Sequence, residues 1–267
     1  TKTPVRPCGS TLSPNGIGFC RDGEALLNMA LCDRVLEVDT ERRLVKVEAG
    51  ARVEQVLAAL GEHGLTLENL ASIADQQIGG FVQVGAHGTG ATLPPVDDRC
   101  VEMTLATPSE GVVTLTEGDD HFSLCRVGLG ACGVLLDATL RCVPKHLLRE
   151  KVEVLTRADV KKRHIALLRD NRHARLMWIP HVDAVVCVTN NPTFPSPLGD
   201  GQGFAAPAPE RVRIEPLRVL LDRELKERGM EPVVADNFAE LRAALLKLAP
   251  LRLDHVKKVN AAEAEFW

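Results

Sequence analysis

The chain has 267 residues, of which 45% are hydrophobic and 25% are charged, and its formal net charge is -4. These values are typical of a globular protein of one or two domains. The small negative charge gives no support for nucleic-acid binding, and no apolar run approaches the ~20 residues that cross a bilayer.

The eight cysteines are scattered along the chain and form no CxxC pair. Zinc sites usually use ligands in close pairs, so we expect no metal site and interpret these thiols as buried or idle. The first ten residues, TKTPVRPCGS, lack the apolar core of a secretory signal.

The first half of the chain is predicted to contain two hairpins and two helices. Apolar and polar residues alternate on both sides of a charged turn in RVLEVDTERRLVKVEAG, which predicts a hairpin over 34–50. A helix is predicted over 52–64, because its apolar residues have helical spacing and Gly64 can close its end. A second hairpin is predicted over 101–116. The stretch 121–144 then reads as a short helix, a glycine turn and a strand.

After about Val143 the pattern changes to three predicted strands and three helices. The strands are KVEVL, ARLMWIP and AVVCVTN, and the first helix is ADVKKRHIALLRDN. The segment 191–210 is rich in Pro and Gly and predicts an irregular loop. Two helices follow, PLRVLLDRELKERG and DNFAELRAALLKLAP, the second with Asp236 and Asn237 as candidate caps.

Three glycine-rich segments each allow close approach to their backbone. They are RPCGSTLSPNG (6–16), DQQIGGFVQVGAHGTGATLPP (75–95) and GLGACGV (128–134). We expect no helix in the second, because each glycine costs roughly 1 kcal/mol against alanine. Backbone N–H groups in tight turns can hold a pyrophosphate, and hydroxyl groups add donors. Three such segments together indicate an elongated dinucleotide, although each one alone fits an ordinary tight turn equally well.

Two other nucleotide motifs are excluded. The chain has no G-x-x-x-x-G-K-[ST] sequence and therefore no P-loop. GLGACG matches G-x-G-x-x-G, but it precedes the apolar strand VLLDATL rather than opening a helix. A Rossmann site is rejected for that reason.

The glycine segments resemble the FAD-binding domain of the vanillyl-alcohol-oxidase type flavoproteins. Within that family the chain is similar to the galactonolactone dehydrogenases of plants and algae, and the similarity continues through MWIPHVDAVVCVTNNP, EPLR and HVKKVNAAEAEFW. The resemblance implies an α+β fold. A two-lobed FAD-binding domain of the p-cresol methylhydroxylase (PCMH) type would occupy 1–145, without the family's first βαβ portion. A partial substrate or cap domain would occupy 146–267.

The resemblance also implies a set of FAD contacts. The pyrophosphate would lie against Pro7, Cys8, Gly9, Ser10, Thr11, Leu12 and Ser13. The isoalloxazine ring would lie beside Ala71 and Ser72. Further contacts would come from Gln76, Gly79, Gln83, Val84, Gly85 and Ala86, and the backbone of Leu135 would contact the adenine end.

Three of these positions, and His87 next to them, carry a further interpretation. Leu12 stands where covalent relatives have a histidine, so FAD would be noncovalent. Thr11 stands where plant relatives have glycine, and a β-branched residue disfavours positive φ, so we expect the turn to differ. The Ala71 methyl group would obstruct oxygen at the flavin, which favours a dehydrogenase over an oxidase. His87 is interpreted as a structural residue of its turn.

The function implied is part of an FAD-dependent galactonolactone dehydrogenase, which catalyses the last step of ascorbate synthesis. Hydride would pass from the lactone to flavin N5, and electrons would pass on to cytochrome c. The location implied is mitochondrial, at the inner membrane or in the intermembrane space. No catalytic residue can be named. The alternative is a divergent, non-catalytic subunit associated with respiratory complex I.

We also expect this chain to need a partner. A flavin domain without its first βαβ portion would expose sheet edges and apolar faces. The last residues, EAEFW, carry two aromatic side chains that no following residues can cover. The expected partner is a complementary dehydrogenase fragment or the subunits of a mitochondrial respiratory complex.

Overall fold

The computed structural model describes residues 3–193 and 208–267, and the chain divides into two units, Thr1–His146 and Leu147–Trp267. Each unit combines a mainly antiparallel set of strands with helices. The predicted α+β fold class is therefore confirmed.

The first unit is built on a five-stranded antiparallel sheet. The strands in its described part are β1 (Val5–Cys8), β2 (Ala25–Asn28), β3 (Val35–Asp39), β4 (Leu44–Glu48), β5 (Leu65–Thr66), β6 (Cys100–Thr107), β7 (Gly111–Thr116), β8 (Val134–Arg141) and β9 (Val143–Pro144). The five-stranded sheet has the order β3-β4-β8-β6-β7, whereas β1 pairs with β2 and β5 with β9 in two small sheets. An antiparallel sheet is inconsistent with a Rossmann site and supports its rejection.

Both predicted hairpins are confirmed. The β3–β4 pair closes with Asp39 opposite Leu44, and the Asp39 carboxylate accepts a hydrogen bond from the Arg42 N–H at 2.8 Å. The β6–β7 pair closes with Thr107 opposite Gly111. Along β4, Val45 and Val47 are fully buried and their neighbours are not, which is the alternation that the sequence shows.

Three helices lie in the described part of the first unit, α1 (Val53–Glu62), α2 (Ile78–Gln83) and α3 (Phe122–Arg126). α1 is the predicted helix, and Gly64 beyond its end has φ +67°. Apolar side chains of the helices and of the sheet form one core cluster, which includes Val56, Leu60, Phe81, Met103 and Leu140. This core supports the loops at which the glycine segments lie.

The expectation that the second glycine segment contains no helix was wrong. Gly79 and Gly80 lie inside α2. A Cβ atom on Gly79 would lie 3.0 Å from the Cβ of Ala49, so glycine lets the helix pack closely on the strand end. Burial of the α2 side chains Ile78, Phe81 and Val82 offsets the poor helix propensity of the two glycines.

The second unit has a three-stranded sheet between helices. Its strands are β10 (Leu147–Leu155), β11 (His173–Ile179) and β12 (Ala184–Thr193), in the antiparallel order β10-β12-β11. The helix α4 (Arg157–Asp170) begins after Thr156, whose hydroxyl accepts a hydrogen bond from the Asp159 N–H. Val185 and Cys187 of β12 pack with Leu167 of α4, which covers one face of this sheet.

A helical cluster completes the second unit. Its members are α5 (Glu210–Arg213), α6 (Glu215–Glu227), α7 (Phe238–Leu248) and α8 (Leu253–Phe266). The predicted helices correspond to α6 and α7, and the cap of α7 is Asn237 rather than Asp236, since the Asn237 side chain accepts from the Glu240 N–H at 3.0 Å. The sequence patterns did not predict α8. Ala264 and Trp267 at its end pack with Val186 and Val188, on the face of β12 opposite α4.

The predicted loop 191–210 needs correction at both ends. Residues 191–193 continue β12, paired with β10, and Glu210 begins α5. Residues 194–207 lie outside the described residues. The strand is longer than predicted because its pairing with β10 continues to Thr193 opposite Leu147. Asn191 adds side-chain hydrogen bonds to Asn171 and to the Arg172 N–H, both at 2.8 Å.

The expectation of uncovered aromatic side chains at 266 and 267 was also wrong. Phe266 is buried and stacks on Phe238 with ring centroids 4.3 Å apart. Trp267 packs edge-on against both rings. The three rings pack within the second unit because α8 returns alongside α7, so these residues give no reason to expect an interface.

Candidate cofactor site

The first glycine segment forms a turn at the end of β1. The Ser10 hydroxyl donates a hydrogen bond to the Asp75 carbonyl oxygen at 2.7 Å, which fastens this turn to the start of the second segment. Thr11 has φ +53°, a left-handed conformation that costs a β-branched residue of order 1–3 kcal/mol. Such strain is typical of ligand sites. Glycine adopts this conformation freely, so Thr11 occupies a backbone conformation that suits glycine.

The second segment lies directly against the first. A Cβ atom on Gly9 would lie 2.5 Å from Oε1 of Gln77, so only glycine leaves room for this buried side chain. The Gln77 Oε1 atom is buried and has no hydrogen-bond partner, and the same is true of Gln76 Oε1. Unpaired buried acceptors are uncommon and mark this junction as a place to expect a ligand or a water molecule.

The third segment reaches both of the others. A Cβ atom on Gly130 would lie 3.5 Å from Cγ of Pro7. The Gly130 N–H donates to Gln83 Oε1 at 3.2 Å, and Gln83 Nε2 donates to the Cys125 carbonyl oxygen at 2.8 Å. Leu129 and Gly130 both have positive φ, which turns the chain back toward β8. The structure thus brings together three segments that lie far apart in sequence.

A fourth stretch, 69–72, supports the loop that follows α2. Asn69 is buried, and its amide donates to the Pro94 carbonyl oxygen at 3.1 Å. A Cβ atom on Gly88 would lie 2.5 Å from the Leu70 carbonyl oxygen, so the loop passes close to this backbone. Ala71 is half-buried against the core and Ser72 is exposed.

Asn69 and Gln77 were missed at the level of sequence, because nothing distinguishes a buried amide from a surface one before the fold is known.

The remaining predicted contacts differ in exposure. Leu12 is 43% exposed and Val84 is 49% exposed, whereas Gln83, Ala86 and the Leu135 side chain are buried. Apolar side chains that reach solvent occur on all three glycine segments or next to them, and they include Leu12, Ile73, Val84 and Leu129. Such side chains suit the flat, apolar faces of a flavin or adenine ring.

Neither the cysteines nor His87 supplies an obvious reactive group. Burial raises the pKa of the Cys8 thiol, with a further contribution from Cys20. Burial and the neighbouring Cys132 thiol raise the pKa of Cys125 to about 11. Both thiols are therefore protonated at neutral pH. His87 is exposed, and its Nδ1 atom lies 2.8 Å from the Gly88 carbonyl oxygen, as expected for a residue that stabilises a turn.

A cavity of about 670 Å³ lies elsewhere in the first unit, on the open face of the five-stranded sheet. Four of its charged side chains form two ion pairs, Lys46 with Glu102 at 2.8 Å and Arg141 with Glu117 at 2.7 Å. The Glu102 hydrogen bond raises the pKa of Lys46 despite its partial burial. Because these charges are mutually satisfied, we place the candidate site at the glycine segments and not here.

The described residues 3–193 and 208–267 contain neither a helix long and apolar enough to cross a membrane nor a group of three metal-ligating side chains.

The arrangement fits an extended, anionic cofactor. Backbone N–H groups of the Gly9–Ser13 turn and the hydroxyls of Thr11 and Ser13 are suitable donors to phosphate oxygens, whereas the Ser10 hydroxyl already donates to the Asp75 carbonyl oxygen. Gly9 and Gly130 leave the space that a Cβ atom would otherwise fill. Apolar positions on the other segments can flank a ring system. These features match an FAD molecule better than a single phosphate group.

Comparison with known proteins supports this interpretation. Residues 1–116 match the family model described as FAD binding domain. The mitochondrial L-galactono-1,4-lactone dehydrogenase of Arabidopsis thaliana is 46% identical over 278 residues, covering 100% of this chain and 45% of that protein. The protein of the same name from Brassica oleracea is 45% identical, with 100% and 46% covered.

A more distant relative is the L-gulonolactone oxidase of Bos taurus, which is 33% identical over 75% of this chain and 46% of that protein. The chain spans about half the length of the curated relatives it matches.

Solved structures show the same fold. Cholesterol oxidase from Brevibacterium sterolicum superposes with a TM-score of 0.65 at 18% identity, over 98% of this chain and 52% of that one. Alkyldihydroxyacetonephosphate synthase superposes with a TM-score of 0.64 at 13% identity, over 71% and 42%. At these identities the likeness concerns the fold alone. The chain contains an FAD binding domain and is homologous over its whole length to L-galactono-1,4-lactone dehydrogenases, which is consistent with the vanillyl-alcohol-oxidase type family of FAD-binding flavoproteins, and its cofactor is FAD.

Proposed function

We propose that this chain is part of an FAD-dependent L-galactono-1,4-lactone dehydrogenase that acts in the last step of ascorbate synthesis. The support is the identity of 45–46% over the whole chain to two proteins of that name. The observation that carries the proposal is the convergence of the three glycine segments through Ser10, Gln77 and Gln83. Bound FAD would supply a hydride acceptor, its N5 atom, for oxidation of the lactone.

Within this proposal the residues of the first unit bind and orient the cofactor. The Pro7–Ser13 turn would hold the pyrophosphate, and Ala71 and Ser72 would face the ring system. Gln76, Gly79, Val84, Gly85 and Ala86 would line the connecting part, with the Leu135 backbone at the adenine end. Both amide atoms of Gln83 are already paired within the chain, so its part would be to hold the third segment in place.

We propose further that FAD is held noncovalently. Leu12 has no nucleophilic atom, and it is partly exposed at the turn where the pyrophosphate would bind. The test is acid precipitation of the purified, flavin-loaded chain. We expect all flavin absorbance in the supernatant. Flavin fluorescence that stays with the denatured polypeptide on a gel would contradict noncovalent binding.

The dehydrogenase assignment leads to a prediction about oxygen. Ala71 is half-buried beside the loop at Gly88, and its methyl group is proposed to obstruct oxygen at the flavin. Changing Ala71→Gly in the assembled enzyme should therefore speed reoxidation of the reduced flavin by oxygen about tenfold or more, the equivalent of about 1.4 kcal/mol in the barrier. Stopped-flow absorbance measures this rate. An unchanged rate, with lactone oxidation intact, would mean that Ala71 does not lie beside the reactive ring carbon.

The electron acceptor proposed is cytochrome c, and the location proposed is the mitochondrial inner membrane or intermembrane space. The support for the location is that the similar proteins of A. thaliana and B. oleracea are named mitochondrial. Reduction of cytochrome c by the lactone-treated assembled enzyme, measured by absorbance, tests the acceptor. If only artificial dyes are reduced, another acceptor must be found.

We also propose that this chain works with a partner. β1 and β2 form a parallel pair, and Leu26 and Leu27, which point to opposite faces of β2, are 48% and 41% exposed. Parallel strands are normally covered on both faces. The partner would be a complementary dehydrogenase fragment. Subunits of a respiratory complex would replace it if the chain is instead a non-catalytic subunit associated with complex I.

One experiment tests these alternatives together. The chain is purified by an affinity tag from its own cells, and its flavin content, bound proteins and lactone-dependent dye reduction are measured. Flavin together with lactone oxidation supports the dehydrogenase. Co-purified respiratory subunits without lactone oxidation support the structural alternative. Absence of flavin from a folded chain would contradict the proposed cofactor site.

A further inference from the structure

Two cysteine side chains meet at the turn between α3 and β8. Cys125 lies in α3, is only 7% exposed and belongs to the core cluster of the first unit, and Cys132 is partly buried and packs against that cluster. Burial and a hydrogen bond between the two thiols raise the pKa of Cys125 to about 11. Both thiols are free, so the pair is in its reduced form.

The backbone of the turn brings these side chains together. A Cβ atom on Gly128 would lie 3.2 Å from the Cys132 Sγ atom and 3.3 Å from the Cys125 carbonyl oxygen. The sulfur of Cys132 therefore lies over Gly128, beside the backbone of Cys125, and glycine leaves room for it. The Ala131 N–H donates to the Gly128 carbonyl oxygen at 2.8 Å, which folds residues 126–131 into a compact turn.

One side chain of α2 holds both ends of this turn. The Gln83 amide accepts from the Gly130 N–H at 3.2 Å and donates to the Cys125 carbonyl oxygen at 2.8 Å. The two thiols are thus kept in contact by the surrounding fold, and no rearrangement of the chain is needed to bring them together. Holding two reacting groups in this way raises the effective concentration of one at the other.

The two thiols differ in their access to solvent. Cys132 is partly exposed, whereas Cys125 is buried and is protonated at neutral pH. A small oxidant in solution therefore reaches Cys132 first. Cys125 by itself is unreactive, but it is placed to react with a group that Cys132 already holds.

We propose that Cys125 and Cys132 are a redox-active dithiol, in which Cys132 reacts with a small disulfide such as oxidised glutathione and Cys125 resolves the product. The Cys132 thiolate attacks one sulfur of that disulfide, its S–S bond breaks, and one glutathione leaves as a thiolate. The Cys125 thiol then loses its proton, and its sulfur attacks the Cys132 sulfur and expels the second glutathione. The two protein thiols lose two electrons in all, the oxidant is reduced to two thiols, and the two protons pass to the released glutathione.

The resulting disulfide closes a ring at the third glycine segment. A Cβ atom on Gly130 would lie 3.5 Å from Cγ of Pro7, so oxidation fixes a turn that contacts the first glycine segment. This thiol chemistry is separate from the proposed lactone oxidation and needs no bound flavin.

Peptide mapping of the native full chain tests the disulfide. Trypsin cleaves between the two cysteines, so they fall in the separate peptides 100–126 and 127–141. The chain is treated with oxidised glutathione, the remaining thiols are alkylated by a maleimide in acidic denaturant, and the digest is analysed by mass spectrometry. We expect the two peptides to be joined, with fragment ions that place the bond at Cys125 rather than Cys100, and to separate after treatment with dithiothreitol. Recovery of Cys125 as the alkylated thiol, whatever the state of Cys132, would overturn the proposal.

Serine variants separate the roles of the two thiols. Cys125→Ser should stop at the mixed disulfide and keep glutathione on Cys132, whereas Cys132→Ser should leave Cys125 reduced, because burial keeps the oxidant away. Cys32→Ser is the matched control, since Cys32 is exposed and its loss should leave the joined peptides unchanged. Oxidation of Cys125 in the Cys132 variant would contradict the assigned order of attack. The map of the unaltered chain stands even where a variant fails to fold.

Discussion

At the scale of single residues, the glycines of the candidate site differ in what they permit. Gly88 has two oxygen atoms within 2.5 Å of the position that its Cβ would take, and one of them is the Leu70 backbone carbonyl. Gly16, in the first segment, has no heavy atom within 4 Å of that position. The sequence shows two similar glycines, and the difference between them follows from their neighbours.

The change Gly88→Ala is therefore expected to cost about 1–3 kcal/mol of stability, because a backbone carbonyl cannot move aside as a side chain can. It should also lower the flavin content of the purified chain, since the loop would be displaced from 69–72. Urea unfolding and flavin absorbance measure the two effects. Gly16→Ala is the control and should leave both near their original values. Equal effects from the two changes would show that the close approach at Gly88 is not what matters.

Glu224 gives a prediction about acid stability. Its pKa is about 2 in the folded chain, lowered by Lys258 and Arg228, against an ordinary value of 4.5. The folded state thus holds this carboxylate ionised where the unfolded chain would protonate it. The resulting stabilisation is complete above about pH 4.5 and is lost as the pH falls toward 2, and it amounts to at most about 3 kcal/mol.

Glu224→Gln should accordingly lower stability at neutral pH by up to about 3 kcal/mol and reduce the acid dependence below about pH 4.5. Circular dichroism during acid titration and urea unfolding measure this. Asp254→Asn is the control, since Asp254 is exposed and its pair with Arg252 should contribute little. If both variants behave alike, the pairing of Glu224 with Lys258 and Arg228 is not a source of stability.

At the scale of elements, the third glycine segment is held by one side chain of α2. Gln83 accepts from the Gly130 N–H and donates to the Cys125 carbonyl oxygen, so α2, α3 and the turn before β8 form one connected group. The predicted sequence of helix, glycine turn and strand was confirmed over this stretch. The pairing by Gln83 was not foreseeable, because its partners lie more than 40 residues away along the chain.

The change Gln83→Leu leaves both of these backbone groups without their partner and should cost about 1–3 kcal/mol. Hydrogen exchange over 125–133 should become faster, while exchange in β4 should not change. Gln55→Leu is the control. Gln55 accepts from the exposed Arg52 N–H and donates a long, 3.5 Å hydrogen bond to the Asp33 carboxylate, so its loss should cost about 1 kcal/mol or less. Unchanged protection of the amides over 125–133 in the Gln83 variant would show that the turn is stable without the Gln83 hydrogen bonds.

Helix prediction succeeded where the sequence pattern marks the helix and failed where packing stabilises it. The helices α1, α4, α6 and α7 have apolar residues at helical spacing and recognisable ends, and all four were predicted. The helix α2 was excluded by its glycines, yet Gly79 packs on Ala49 and the apolar residues around it are buried. The helix α8 was not predicted, and it is stabilised by contacts such as the stacking of Phe266 on Phe238. Where packing rather than propensity stabilises a helix, sequence patterns are a poor guide.

At the scale of the whole molecule, the uncovered apolar residues of β1 and β2 lead to a prediction about association. Replacing Leu26 and Leu27 by lysine should not unfold the chain, because both side chains already reach solvent. It should abolish binding of the proposed partner, since lysine in the core of an interface is costly. Affinity purification followed by mass spectrometry measures the bound proteins. Leu251→Lys, at an exposed position of the second unit, is the control and should bind normally. Undiminished binding by the double variant would place the interface elsewhere.

The sequence by itself determined the local structure and the cofactor class. Alternating and helical spacing predicted the hairpins and most helices, because those patterns follow from which side of a strand or helix is buried. The glycine segments, with their resemblance to a flavoprotein family, indicated FAD. Only the tertiary structure decided that Ser10 and Gln83 join these segments by hydrogen bonds and that Gln77 lies against Gly9. The same is true of the burial of Phe266 and of the contacts of His255 with Glu224 and the end of α7. Each of these depends on contacts between distant residues, and such contacts exist only after the chain has packed.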